Sequence, residues 1–315
     1  LAQQKSVQTL PPEVTEAHSL ADRMPALLIE AQRVAHTVTY GTHGRRRAGP
    51  GETFWQFRHF DENDSLARVD WRRSASSDHL YVREREWEAA HTVWLWVDLS
   101  PSMQFRSGLS ETYKDSRAAV LALAMCELLV RAGERVGVIG HPPMAGRFAT
   151  RRLAEILIQD FETGRSLPPP ASLNRFSECI LFSDFLEPAK ETAAAVEAIA
   201  AQGIRGHLVQ IFDPAEESLP YEGRTEFAAS EGNTRVIAGR AETLREAYAE
   251  RLRDHRKALS SLATRLGWSF FVHHTDRPAG EALLALHNHL AGLEQSYRFR
   301  QPAASDSQDG EDRPS

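Results

Sequence analysis

From Thr92 onward, short unbroken apolar runs alternate with longer stretches in which apolar residues recur every three or four positions. TVWLWVD, RVGVIG, ECILFSD, RGHLVQIFD and WSFFVHH belong to the first kind. KDSRAAVLALAMCELLVRAG, RRLAEILIQDF, PAKETAAAVEAIAAQG, AETLREAYAERLRDHRKALSSLATRLG and GEALLALHNHLAGL belong to the second. Runs that are apolar throughout suit strands buried on both faces, and amphipathic stretches between them suit covering helices. The alternation predicts a doubly wound α/β domain with a mostly parallel sheet over residues 92–295.

Upstream the texture differs. Val14, Leu20, Met24, Leu27, Leu28, Val34 and Val38 fall at roughly helical spacing and predict an N-terminal helical segment within residues 1–39, broken near Pro25. Over residues 40–91, Gly and Pro punctuate short aromatic and β-branched runs such as FWQFRHF and HLYVRERE, which predicts a β-rich arm. SLPPPASLN reads as a surface loop. Residues 296–315 carry Asp306, Asp309, Glu311 and Asp312 with almost nothing apolar, the pattern of a disordered acidic tail.

Composition narrows the class. With 315 residues, 42% hydrophobic and 25% charged, the chain can bury a core without disulfides, and collagen-like, coiled-coil and wholly disordered readings are excluded. A formal net charge of -6 gives no general reason to bind nucleic acid or an anionic membrane. The arm interleaves Arg with aromatics, but its nine Arg face nine acids, a poor phosphate tracker. No run approaches the ~18 apolar residues needed to span a bilayer. Cys126 and Cys179 each sit in an apolar stretch, as suits a reducing compartment, and a cytoplasmic location is expected.

In an open α/β sheet the ligand site lies beyond the C-terminal ends of the strands. Two runs that end in Asp stand out there: Asp98-Leu99-Ser100-Pro101-Ser102-Met103 after VWLWV, and Ser183-Asp184 after ILF. A carboxylate with two hydroxyls on a sharp turn offers the hard oxygen donors that suit Mg²⁺ or Mn²⁺. The same groups can instead accept loop amides and cap the next helix.

The D-x-S-x-S-M loop, the GERVGVIG strand after a long helix and the Ser183-Asp184 strand end together resemble a von Willebrand factor A domain. That resemblance implies a metal-dependent adhesion site built from Asp98, Ser100 and Ser102, with Asp184 as a further acid. It also calls for a Thr on a third loop. Thr150 in HPPMAGRFATRRL stands nearest that place, crowded by Arg147, Arg151 and Arg152, and a guanidinium there could supply the cation's charge itself. The segment RHFDENDSLARVDWRRSASSDHLYVREREWEAAHTVWLWVDLSPSM resembles the bacterial family called domain of unknown function 58. Arg58, Asp64, Arg68, Asp70, Trp71 and Ala75 fall in that family's order, with Phe60 and Asn63 where Tyr and Gly are usual, and the resemblance spans about residues 40–275. It implies an adaptor working with an AAA+ ATPase of the MoxR type.

The charged part of that signature, Arg58, Asp64, Arg68 and Asp70, is expected to form an ion-pair network seating the arm on the α/β body, with Trp71 buried beside it; partner docking is its other use. The His273/His274 and His287/His289 pairs point to different faces of their elements and do not form a zinc site. Lys5, Lys114, Lys190 and Lys257 all lie outside Gly-rich turns, so no Walker A loop and no nucleotide are expected. A G-x-S-x-G elbow is missing as well, and Ser100 stands where a haloacid dehalogenase-type phosphatase needs its second Asp. The expected function is therefore a non-enzymatic protein-binding module. Its alternative is a metal-dependent phosphoester hydrolase using the same sheet-end pocket.

Overall fold

The structure, a computed structural model, describes residues 20–41, 54–60, 69, 71–75, 79–85, 91–228 and 235–298. Five apolar runs become one parallel sheet: β3 (Thr92–Val97), β4 (Arg135–Val138), β5 (Glu178–Ser183), β6 (Arg205–Phe212) and β9 (Ser269–His274), in the order β4-β3-β5-β6-β9. The register pairs Trp94 with Gly137 and Cys179, and Val209 with Phe182 and Phe271. The chain leaves β3 toward β4 on one side and returns to β5 on the other. That reversal makes the C-terminal ends of β3 and β5 the topological switch point, the place at which such sheets bind ligands.

Both sheet faces are covered, as strands apolar at every position require. Val93, Leu95 and Val97 point to one face, where α1 (Leu20–Gly41), α3 (Lys114–Arg131), α4 (Ala149–Phe161) and α8 (Ala279–Arg298) pack over them. Trp94 and Trp96 point to the other, under α5 (Ala189–Ala200) and α7 (Arg245–Leu266). Two glycines make room for indoles on this second face. A Cβ at Gly137 would collide with the Trp94 ring, and one at Gly206 with the Trp268 ring, whose Nε1 donates to the Ile204 carbonyl at 3.1 Å.

The N-terminal helix is part of this body. Leu20, Met24, Leu27, Ala31, Ala35 and Val38 form its buried stripe against α3 and α8, and Arg23 pairs with the buried Asp115 at 2.6 Å. The helix does not break at Pro25. Proline removes only one intrahelical bond, and the buried stripe continues through it.

The arm contains β1 (Phe54–His59) and β2 (Tyr81–Arg85), an antiparallel pair that sets Arg58 opposite Val82, and the single turn α2 (Trp71–Ser74). Here one expectation fails. Trp71 is not buried but 61% exposed: the turn is anchored through Ser74, whose hydroxyl accepts from the Tyr81 amide at 2.9 Å, and the indole is left to solvent. Asp64, Arg68 and Asp70 of the expected ion-pair network, and residues 1–19 and 299–315, lie outside the described residues. Between β6 and α7 the chain adds the short helix α6 (Pro214–Ser218) and the antiparallel pair β7 (Thr225–Ala228) and β8 (Arg235–Ala238), which the apolar pattern did not signal. Among the described residues no helix is long and apolar enough to cross a membrane.

Candidate functional site

Three neighbouring strands end in an aspartate, and each aspartate folds its own loop. Asp98 Oδ1 accepts from the Ser100 amide at 2.9 Å, Asp184 Oδ1 from the Leu186 amide at 3.2 Å, and Asp213 Oδ1 from the Ala215 amide at 2.8 Å. These are the tight two-residue turns that a short carboxylate makes with the chain just beyond it. The second oxygens join the loops. Ser183 Oγ donates to Asp98 Oδ2 at 2.6 Å, and the Ser107 amide donates to Asp213 Oδ2 at 3.0 Å. Asp98, Ser100, Ser183, Asp184 and Asp213 are all buried.

The four residues singled out as metal ligands do come together. Ser100 Oγ lies 3.1 Å from Ser102 Oγ, which donates to Asp184 Oδ2 at 2.8 Å, and Asp98 is tied to the same strand end through Ser183. A cation is also present, but it is a side chain. Lys114, the first residue of α3, is completely buried, and its Nζ lies 2.9 Å from Asp184 Oδ2 and 2.6 Å from Glu216 Oε1. Glu216 is held in turn by a capping box: its Oε2 accepts from the Asp213 amide at 2.9 Å at the start of α6.

Mg²⁺ or Mn²⁺ does not fit this donor set. Both Asp98 oxygens and both Asp184 oxygens already accept hydrogen bonds, and part of the charge a divalent ion would neutralise is met by the ammonium. An ion ligated by Ser100, Ser102 and Asp184 would stand against Lys114. At ~4 Å and an effective dielectric of ~20 that repulsion is on the order of 8 kcal/mol.

The expected third-loop residue is elsewhere. After β4 the chain folds back, with Met144 bridging Val136, so α4 starts away from the C-terminal edge of the sheet. Thr150 Oγ1 donates to Glu127 Oε2 at 2.8 Å. Glu127 is 13 positions along α3 from Lys114 (127 minus 114), roughly 20 Å at the helical rise. The nearby guanidiniums are occupied on the surface: Arg147 stacks on Phe148, and Arg151 and Arg152 pair with Glu155 at 3.5 and 3.1 Å. The charge expected from one of them comes from Lys114 instead.

Electrostatics follow from burial. Loss of solvent, with the Asp184 charge close by, pushes the Asp98 carboxyl up to about 7, although Ser100 and Ser183 hydrogen-bond to its ionised form. Burial also works against the Lys114 ammonium, but Asp184 and Glu216 more than offset it, and its pKa is held above the ordinary lysine value. Two non-glycine residues of the surrounding loops are left-handed, Phe185 at φ 50° and Leu219 at φ 41°. The neighbours fix both: His255 Nε2 reaches the Phe185 carbonyl at 2.5 Å, and Arg245 donates to the Leu219 carbonyl at 3.2 Å. Strain of this kind persists only where surrounding contacts over-determine it.

Chemically the cluster is closed. Neither carboxylate presents a free oxygen to a substrate, and a crevice of about 210 Å³ beside it, between the ends of β3 and β4, is lined by Trp96, Ile139, His141, Asp160 and Arg165 rather than by Asp98 or Asp184. A second polar group, His207 Nδ1 at 2.7 Å from Ser269 Oγ with Glu178 3.9 Å from Nε2, sits at the N-terminal ends of β5, β6 and β9, the wrong edge for ligand binding in such a sheet.

The described features place the chain in a class of α/β proteins with a sheet-end polar cluster, and comparison with known proteins gives the family. Residues 56–258 match the family model described as protein of unknown function DUF58, and the chain belongs to that family. It is 24% identical over 281 residues to uncharacterized protein Rv1480 of Mycobacterium tuberculosis and, equally, to uncharacterized protein Mb1516 of Mycobacterium bovis, covering 82% of this chain and 86% of each relative. Two solved structures are similar at 15% identity, each over 64% of this chain and 100% of the other. They are a conserved hypothetical protein BatB from Bacteroides thetaiotaomicron, at a TM-score of 0.36, and an aerotolerance-related membrane protein from Bacteroides fragilis, at 0.41.

Proposed function

We propose that this chain is a non-enzymatic protein-binding module of von Willebrand factor A-like type, which presents the loops around Asp98, Ser102 and Asp184 to a protein partner in the cytoplasm. The observation that carries this reading is the closed polar network: it spends every carboxylate oxygen of Asp98 and Asp184 on holding loops in place. Groups so committed stiffen a surface. The rim they hold carries Leu109 and Leu186, 54% and 44% exposed, on the loops that follow β3 and β5. Apolar side chains on preorganised loops lower the entropy lost on association.

A MoxR-type AAA+ ATPase is the partner implied by the family resemblance, and the adaptor role rests on that resemblance. Co-purification from the native host tests it with surface variants that leave the buried cluster intact. Leu109→Asp and Leu186→Asp should each reduce the yield of the ATPase relative to wild type. An unaltered yield would move the contact away from these loops, and no ATPase with any of the three proteins would count against the partnership.

A further inference from the structure

A lysine in the first turn of a helix is opposed by the positive end of the helix dipole, and one buried completely also gives up its hydration. Lys114 bears both penalties, so its position demands compensation of the kind a bound ion demands. It receives it from Asp184 at 2.9 Å and Glu216 at 2.6 Å, with the rings of Phe105 and Phe212 each 5.9 Å from Nζ. These partners come from the loop after β5, the start of α6, the loop after β3 and the end of β6, so one point charge ties together the segments that follow the three central strands. We infer that the Lys114 ammonium is a built-in replacement for a divalent cation: it sets the Ser100, Ser102 and Asp184 loops without metal, and the partner recognises this face without ligating an ion.

Three observations converge on that assignment. The ammonium shares Asp184 Oδ2 with Ser102 Oγ, which continues to Ser100 Oγ, so the charge lies at the end of the very chain of oxygens that would ligate an ion. The third-loop threonine is committed to Glu127, well away from the cluster. Glu216, an acid outside the set of Asp98, Ser100, Ser102 and Asp184, is oriented by its own capping box toward the lysine. The inference relies on the proposed function only for the use of this face, and its test needs no partner.

The test compares wild type, Lys114→Ala and Lys114→Ala/Asp184→Asn in EDTA and in millimolar MnCl₂, reading thermal unfolding together with Mn²⁺ stoichiometry by electron paramagnetic resonance. Wild type should bind no Mn²⁺ at this site and keep its Tm. Lys114→Ala should melt lower in EDTA, bind one Mn²⁺ and regain at least about 2 °C, because an ion that binds only the folded state stabilises it. The double variant should lose both the ion and the gain. Should Lys114→Ala fail to fold, Lys114→Met, which keeps the aliphatic stem, carries the same comparison. Mn²⁺ held by wild type and released in Asp184→Asn would overturn the assignment, as would a folded Lys114 variant that binds none.

Discussion

Replacing Lys114 by Met removes the charge while keeping most of the buried stem, so the change isolates the ion pair from cavity effects. Asp184 would retain the Ser102 hydroxyl and the Leu186 amide but lose its counter-charge, in a place only 2% exposed. Glu216 would retain the Asp213 amide, and its side chain, 17% exposed, can recover some hydration. The deficit therefore falls chiefly on Asp184. Leaving one buried charge without its partner costs about 3–5 kcal/mol, which for a domain of this size lowers Tm by roughly 6–20 °C. Urea unfolding followed by the fluorescence of the buried Trp94, Trp96 and Trp268 reads the same quantity as a lower midpoint at unchanged slope. Adding Asp184→Asn removes the orphaned charge, so the double variant should recover at least about 1 kcal/mol over the sum of the singles. A loss below about 1 kcal/mol with no coupling to Asp184 would refute the reasoning.

Other consequences are open to direct measurement. Because burial raises Asp98 from 3.8 to about 7, its folded form binds more protons than its unfolded form across that window, and its contribution to stability declines as pH rises through it. Asp98→Asn should abolish this component, so a pH profile of unfolding between pH 4 and about 8 should be flatter than that of wild type; an unchanged profile would mean Asp98 ionises normally. Trp71→Ala should change stability by less than about 0.5 kcal/mol, since the ring is exposed, and a loss of about 3 kcal/mol in chemical denaturation would show a buried indole instead. Gly206→Ala should cost at least about 1–3 kcal/mol by forcing the Trp268 ring aside; a blue-shifted, unchanged tryptophan emission with wild-type stability would show that the ring accommodates the methyl.

The five core strands were legible because burial on both faces leaves unbroken apolar runs, a signal local to each strand. The convergence of Asp98, Ser100, Ser102 and Asp184 was legible for a related reason: strand ends at a switch point are brought together by topology, which the alternation already implies. Lys114 was not. Its partners Asp184 and Glu216 are 70 and 102 positions away, and nothing local distinguishes a lysine bound for the interior from one that solvates a helix start. Two signals pointed to it in retrospect. A lysine opens the helix against the dipole, and the D-P-A-E sequence at Asp213–Glu216 is a capping box beyond a third strand ending in aspartate. The burial expected of Trp71 failed because an aromatic in a polar one-turn helix carries no periodic pattern from which its facing can be read. The pair β7–β8 escaped for a similar reason, since Val236 and Ile237 of β8 are both exposed and each strand is only four residues long.

The account turns on which cation holds the sheet-end loops, and a crystal structure of the wild-type protein grown or soaked in MnCl₂, with anomalous data at the manganese edge, tests that most directly. It predicts the Lys114 ammonium between Asp184 and Glu216 and no anomalous peak in the cluster. A manganese peak ligated by the Ser100 and Ser102 hydroxyls and Asp184, with Lys114 displaced, would contradict it.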